Sequence, residues 1–308
     1  MSTATSAPER VVAPTAKHHG RRKSRVQPIY WVFLLPAVTV FTLLITYPAI
    51  EGLTMSFTNS IGFGDFDWIG FRNYVALFRD ENILSSYGFT FLFAAVTVIL
   101  VNLVAFLLAL GLTSNIKLKN PLRAIFVIPM VISAIIISFV FRFLFNNSLP
   151  LLGEAIGAET LSTSLLANES WAWLAIVIVT SWGSVPSAML IYIAGLMTVP
   201  AEVYEASAID GATSWQKLWH ITVPLVAGYV GINVILGFKN YLSVYDQIVG
   251  LTQGGPGTAT RSVAFTIFAG FSGGDYAYQM ANAAIFFLIT IAIALVQLRV
   301  TRGRAFGR

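Results

Sequence analysis

The stretch Ala124-Ile-Phe-Val-Ile-Pro-Met-Val-Ile-Ser-Ala-Ile-Ile-Ile137 carries no charge and does not alternate apolar with polar side chains. A strand of a membrane β-barrel would alternate over about ten residues, so this run belongs to a helix. Followed to residue 145, it reaches the roughly 20 residues that a helix needs to cross a hydrocarbon core of about 30 Å. Comparable runs lie at residues 29–50, 89–112, 171–196, 224–249 and 278–298. The sequence therefore predicts an all-α, polytopic membrane protein with six transmembrane helices. Composition agrees: of 308 residues 56% are hydrophobic and only 11% charged, where a soluble domain carries about 25% charged residues.

The first run exceeds the 7 to 15 apolar residues of a secretory signal, roughly speaking, and no small-residue cleavage site follows it. It is expected to remain as a helix. Residues 1–28 hold Arg10, Lys17, Arg21, Arg22, Lys23 and Arg25 and little from which to build a core. They read as a disordered basic tail, either drawn to anionic lipid headgroups or serving only as a solvated topology signal. Residues 29–308 then form the transmembrane domain.

Cytoplasmic loops carry an excess of Lys and Arg. With the N-terminus inside, fourteen fall on the cytoplasmic side: the six of the tail, Lys117, Lys119, Arg123, Lys217, Arg299, Arg302, Arg304 and Arg308. Arg72, Arg79 and Arg261 fall outside, and Arg142 and Lys239 near outer span ends. Both termini are thus expected in the cytoplasm. The apolar run Ser262 to Phe271 would cover only about 15 Å as a helix, too short to cross, and reads as a short helix at the outer surface or re-entering the membrane.

The chain has no cysteine, and His18, His19 and His220 show no paired metal-ligand spacing, so neither a metal site nor thiol chemistry is expected. No serine–histidine, paired-carboxylate or metal constellation lies within a span, which argues against an intramembrane enzyme. The spans hold few ionisable groups, which leaves a proton relay poorly supplied and argues against an ion-coupled transporter.

Between the fourth and fifth spans runs Pro200-Ala-Glu-Val-Tyr-Glu-Ala-Ser-Ala-Ile-Asp-Gly211. Pro200 suits a first helical turn, Glu202 and Glu205 suit the positive end of the helix dipole, and Asp210-Gly211 supplies a stop. Thr213 and Gln216 have the spacing of a capping box for a second helix, and Pro224 is expected to open the next span.

Glu205-Ala206-Ser207, three residues, Gly211, nine residues, then Ile221-Thr222-Val223-Pro224 resembles the E-A-A loop of permease subunits of binding-protein-dependent ABC importers, with Ser207 and Val223 as departures. Leu251-Thr-Gln-Gly-Gly-Pro256 and Trp68-Ile-Gly-Phe-Arg-Asn-Tyr74 are similar to segments of that family's carbohydrate branch, the maltose and glycerol-3-phosphate type. The resemblance covers about residues 29–300.

That resemblance implies a partnership. A second, homologous permease completes a heterodimeric pore in a bacterial or archaeal cytoplasmic membrane, two cytoplasmic ATPases bind ATP and Mg, and an extracytoplasmic binding protein delivers a carbohydrate. No nucleic acid is involved. This chain has no G-x-x-x-x-G-K-[ST] loop, and none of its six lysines follows a glycine, so it is expected to bind no cofactor itself and not to be an enzyme. Glu202, Glu205, Ala206, Ser207, Asp210, Gly211, Ile221 and Pro224 become candidates for a cytoplasmic coupling helix and turn that dock on the ATPase.

Polar groups within spans are expensive and so mark a path. Thr180, Trp182, Ser184 and Ser187 surround Pro186 in the fourth span. Asn233, Lys239, Asn240, Tyr241, Tyr245 and Asp246 lie on the fifth. Rings that stack on a sugar face, with amides and hydroxyls for its hydroxyl groups, suit a carbohydrate site. Two readings stand for Lys239 and Asp246, path or snorkelling at the interface, and two for Trp182 and Tyr241, path or packing and interfacial belt.

Overall fold

A computed structural model describes residues 28–114, 116–158 and 161–305, with side chains from 29 to 299. The expected tail, apart from Pro28, lies outside the described residues, as does Arg308. The chain divides into two compact units, Met1–Ile50 and Glu51–Arg308.

Among the described residues six helices are long and apolar enough to span: Ile29–Met55, Glu81–Thr113, Ala134–Ile156, Ala172–Leu196, Ser214–Leu242 and Tyr276–Arg299. Four of them, the first, second, fourth and sixth, agree in place with the apolar runs. The second starts at Glu81 rather than residue 89 because Asp80 caps it, accepting from the backbone N–H groups of Asn82 and Ile83. The short run is a separate helix, Val263–Ser272, capped by the Ser262 hydroxyl.

Two expected boundaries are corrected, each through the backbone chemistry of proline or a competing hydrogen bond. The run 124–145 is not one helix. Helix Lys119–Val127 passes into a 3₁₀ turn at Ile128–Val131, where Pro129 sits, and the chain is extended at Ile132 and Ser133 before Ala134–Ile156 begins. The run 224–249 is displaced as well: its helix begins at Ser214 and stops at Leu242. A separate short helix, Asp246–Leu251, follows. The buried Ser262 hydroxyl donates to the Val244 carbonyl at 2.7 Å, holding the chain open between the two pieces.

Pro224 therefore lies inside the fifth span instead of opening it. Three π turns, Thr42–Thr46, Leu144–Ser148 and Leu218–Thr222, each end two residues before a proline: Pro48, Pro150 and Pro224. Proline lacks an N–H and its ring crowds the carbonyl four residues back. Widening the preceding turn, as in the bond from Val223 N–H to Leu218 O, moves that carbonyl aside and lets the helix continue.

Within the second unit, the second span packs along the fourth. It contributes Ala94, Val98, Val101, Ala105 and Ala109, spaced to form one helix face, against Ala175, Ile176, Val179, Met189 and Ile193. Alanines on both sides let the backbones approach, the means by which helices associate where hydrophobic driving force is absent. Polar groups tie this pair together and join a third helix to it. The Tyr192 hydroxyl donates to Asn102 Oδ1, and Asn233 Nδ2 donates to the Ala188 carbonyl at 3.1 Å.

Candidate functional site

The two helix interruptions meet. Ala134, just past the first break, and Ser243 to Gln247, across the second, border one cavity of about 290 Å³ together with Thr180 and Ser184 of the fourth span and Asn240 and Tyr241 of the fifth. Irregular backbone within a bilayer persists only where protein or a water-filled cavity surrounds it, and both interruptions border this polar cavity. Thr180 is 3% exposed, and its Oγ1 is buried with no protein hydrogen-bond partner. A buried hydroxyl without a partner loses on the order of 1–3 kcal/mol, which a bound polar group would restore.

The cavity walls are braced from behind. Gly250 of the short helix lies so close to the third span that a Cβ there would sit 2.4 Å from Ser138 Cβ. Tyr245 rests on Phe268, with ring centroids 4.7 Å apart.

Of the ten path candidates, the cavity brings together Thr180, Ser184, Asn240, Tyr241, Tyr245 and Asp246. The other four lie elsewhere. Trp182 packs edge-on against Phe141 at 5.4 Å, and Ser187 donates to its own helix at the Ser184 carbonyl. Asn233 is spent on the contact with Ala188, and Lys239 is exposed and does not border the cavity. Ala134, Ser243, Val244 and Gln247 also border the cavity and are not among the sequence candidates. Ser243, a polar residue directly after an apolar helix, was the available signal.

At the loop between the fourth and fifth spans, helix Ala201–Ile209 ends in a Schellman motif: Ala212 N–H bonds Ser207 O at 3.0 Å and Gly211 N–H bonds Ala208 O at 3.2 Å. Gly211 has φ +76°. The capping box forms as spaced, with Thr213 N–H donating to Gln216 Oε1 and Gln216 N–H to Thr213 Oγ1. Glu202, Glu205, Ala206, Asp210, Gly211 and Pro224 are exposed, Ile221 is half-buried, and Ser207 is buried with its hydroxyl on the Tyr204 carbonyl. Sequence reasoning passed over Ile209, which is 87% exposed, and the exposed pair Trp215 and Trp219.

The other quoted segments have structural work. Asn73 Nδ2 donates to the Ser56 and Thr58 carbonyls, both at 2.9 Å, and the Tyr74 hydroxyl meets Ser56 Oγ at 2.7 Å. In the Gly-Gly-Pro loop the Thr260 hydroxyl donates to Gly255 O at 2.6 Å and lies 2.8 Å from Thr252 Oγ1.

A bundle of apolar helices with two of them broken around a polar cavity defines a multi-pass membrane transport protein. Residues 103–302 match the family model described as the binding-protein-dependent transport system inner membrane component, and the chain belongs to that family. It is a transport permease, not an enzyme. Relatives include the multiple sugar-binding transport system permease protein MsmF of Streptococcus mutans, 31% identical over 88% of this chain and 94% of that protein. A second is AmyD of Thermoanaerobacterium thermosulfurigenes, a probable permease for starch degradation products, 32% identical over 89% and 94%. In fold, the chain matches a subunit of a bacterial ABC transporter involved in the import of alginate, with a TM-score of 0.79 at 21% identity over 91% of this chain and 96% of that one.

Proposed function

We propose that this chain is one of two permease subunits of an ATP-driven importer for a carbohydrate, and that the cavity between the broken third and fifth helices is its half of the solute path. The observation that carries this is the convergence of Thr180, Ser184, Asn240, Tyr241 and Asp246 at the two interruptions. Hydroxyls and amides beside tyrosine rings offer both kinds of contact that a sugar uses. The relatives' names point the same way: multiple sugars, starch degradation products, and trehalose and maltose in the MalF protein of Thermococcus litoralis. Others handle acidic solutes, sn-glycerol-3-phosphate in UgpA of Yersinia pestis and alginate in the solved transporter.

The partners follow from the family. An extracytoplasmic binding protein hands solute to the outer face, as in the alginate transporter solved with its solute-loaded periplasmic protein. A second, homologous permease completes the pore. Two cytoplasmic ATPases, which hold ATP and Mg, dock on residues 202–216, and the excess of Lys and Arg supports a reading with both termini on their side. Closure of the ATPase dimer pushes the Gly211 turn and rocks the spans from inward-open to outward-open. Carbohydrate uptake into vesicles holding the complex, measured with and without ATP inside, tests the proposal. Uptake that proceeds equally without ATP would overturn it.

A further inference from the structure

We infer that Asp246 makes this half of the cavity a charge filter, accepting neutral and aminated sugars and disfavouring those that carry a carboxylate or phosphate. The inference rests on the cavity being the solute path. Asp246 is the one formally charged residue among the ten that line it; none is a lysine, arginine or histidine. Sites built for carboxylate or phosphate present guanidinium or ammonium groups, because paired charge offsets the loss of the anion's hydration. Here an anion would meet a carboxylate of its own sign. The remaining polar groups, Thr180, Ser184, Asn240, Ser243 and Gln247, are uncharged donors and acceptors suited to hydroxyl groups.

Lys239, the nearest cation in sequence, does not border the cavity. A volume of about 290 Å³ lies at the lower edge of the range for small-molecule sites, about 300–1,000 Å³, and suits a sugar of one or two rings. Asp246 also opens the short helix Asp246–Leu251, where a carboxylate stabilises the first turn. That local role would not distinguish one solute from another, and the test exploits the difference.

The complete transporter, reconstituted in nanodiscs without its binding protein, is titrated with glucose, glucuronate and protonated glucosamine, which share a ring and differ in charge, and binding is followed by saturation-transfer NMR. Glucosamine is expected to bind about thirtyfold more tightly than glucuronate, because the two differ by two unit charges and each changes affinity roughly sixfold at contact distance from a carboxylate even in bulk water. Asp246→Asn should bring the two within about twofold, whereas Asp246→Glu should preserve the gap. Equal affinities in the unaltered protein, or a gap that Asp246→Asn leaves in place, would overturn the filter while leaving the path intact. If glucose binding is absent, or survives Thr180→Val with Tyr241→Ala at full strength, the reading of the cavity as the path fails and the filter with it.

Discussion

The Tyr204 hydroxyl lies 3.0 Å from Thr222 Oγ1, joining the helix of the loop between the fourth and fifth spans to the root of the fifth. Thr222 is the last residue of a π turn and hydrogen-bonds back to the Lys217 carbonyl at 3.3 Å. A push on the loop therefore has a direct route into the helix that carries Asn240 and Tyr241. Tyr204→Phe deletes the hydroxyl and little volume. It should leave assembly intact and lower solute-stimulated ATP hydrolysis several-fold, with a coupling to Thr222→Val of about 1 kcal/mol in a double-mutant cycle. Additive effects of the two substitutions would show that the link transmits nothing.

The cavity separates two tyrosine and tryptophan candidates that sequence alone could not. Tyr241 is on its wall and Trp182 packs on Phe141. Tyr241→Ala and Thr180→Val should each weaken solute binding by about tenfold, the value of one lost hydrogen bond to a buried partner, while Trp182→Ala leaves solute affinity unchanged. Titration of solute binding to the three variants checks this, and a loss confined to Trp182→Ala would place the path on the opposite face of the fourth span.

The close approach of Gly250 to Ser138 fixes the short helix against the third span. Gly250→Ala should lower thermal stability and uptake together, because a Cβ at 2.4 Å cannot be accommodated without a shift. Ser138→Gly removes the opposing Cβ. Combined with Gly250→Ala it should recover most of the loss, read as the melting temperature of the detergent-solubilised complex.

Helices were legible in the sequence because charge-free runs of spanning length have few alternatives in a bilayer. Their interruptions were not. Hydropathy treats Ile132-Ser133 and Val244-Tyr245 as it treats their neighbours, and only Pro129 hinted at the first break. The second depends on Ser262, which is eighteen residues away in sequence and reaches the Val244 carbonyl. The loop was readable in detail because caps are local: Thr213 and Gln216 pair as spaced, and Gly211 turns as glycine allows. Asn233 was out of reach for the opposite reason, since its partner, Ala188, lies on another helix.

Orientation rests on the fourteen cations assigned to one side. Reporters fused at residue 1 and at residue 308 should both be cytoplasmic. A C-terminal reporter outside would require Val263–Ser272 to cross, although its ten residues reach only about 15 Å.

Gly211 closes helix Ala201–Ile209 with φ +76°, a conformation that costs a residue with a Cβ about 1–2 kcal/mol. Nothing lies within 4 Å of the place where that Cβ would stand, so a side chain there would strain the backbone and protrude into whatever docks on the turn without disturbing the bundle. Next to it Ile209 stands 87% exposed, an apolar side chain suited to a pocket on a partner. Glu205, one turn earlier, is exposed and able to form a charge-assisted bond with a cation or backbone amide of that partner. Gly211→Val, Ile209→Asp and Glu205→Lys should leave the spans inserted and the two permeases paired, yet abolish ATP hydrolysis stimulated by the solute-loaded binding protein. Co-purification then divides the mechanisms. Loss of the ATPase from the Ile209→Asp complex means that the apolar contact anchors docking, whereas retention without stimulation in Gly211→Val means that the turn transmits movement. Full stimulation in all three variants would make the loop a plain connector and remove it from the mechanism.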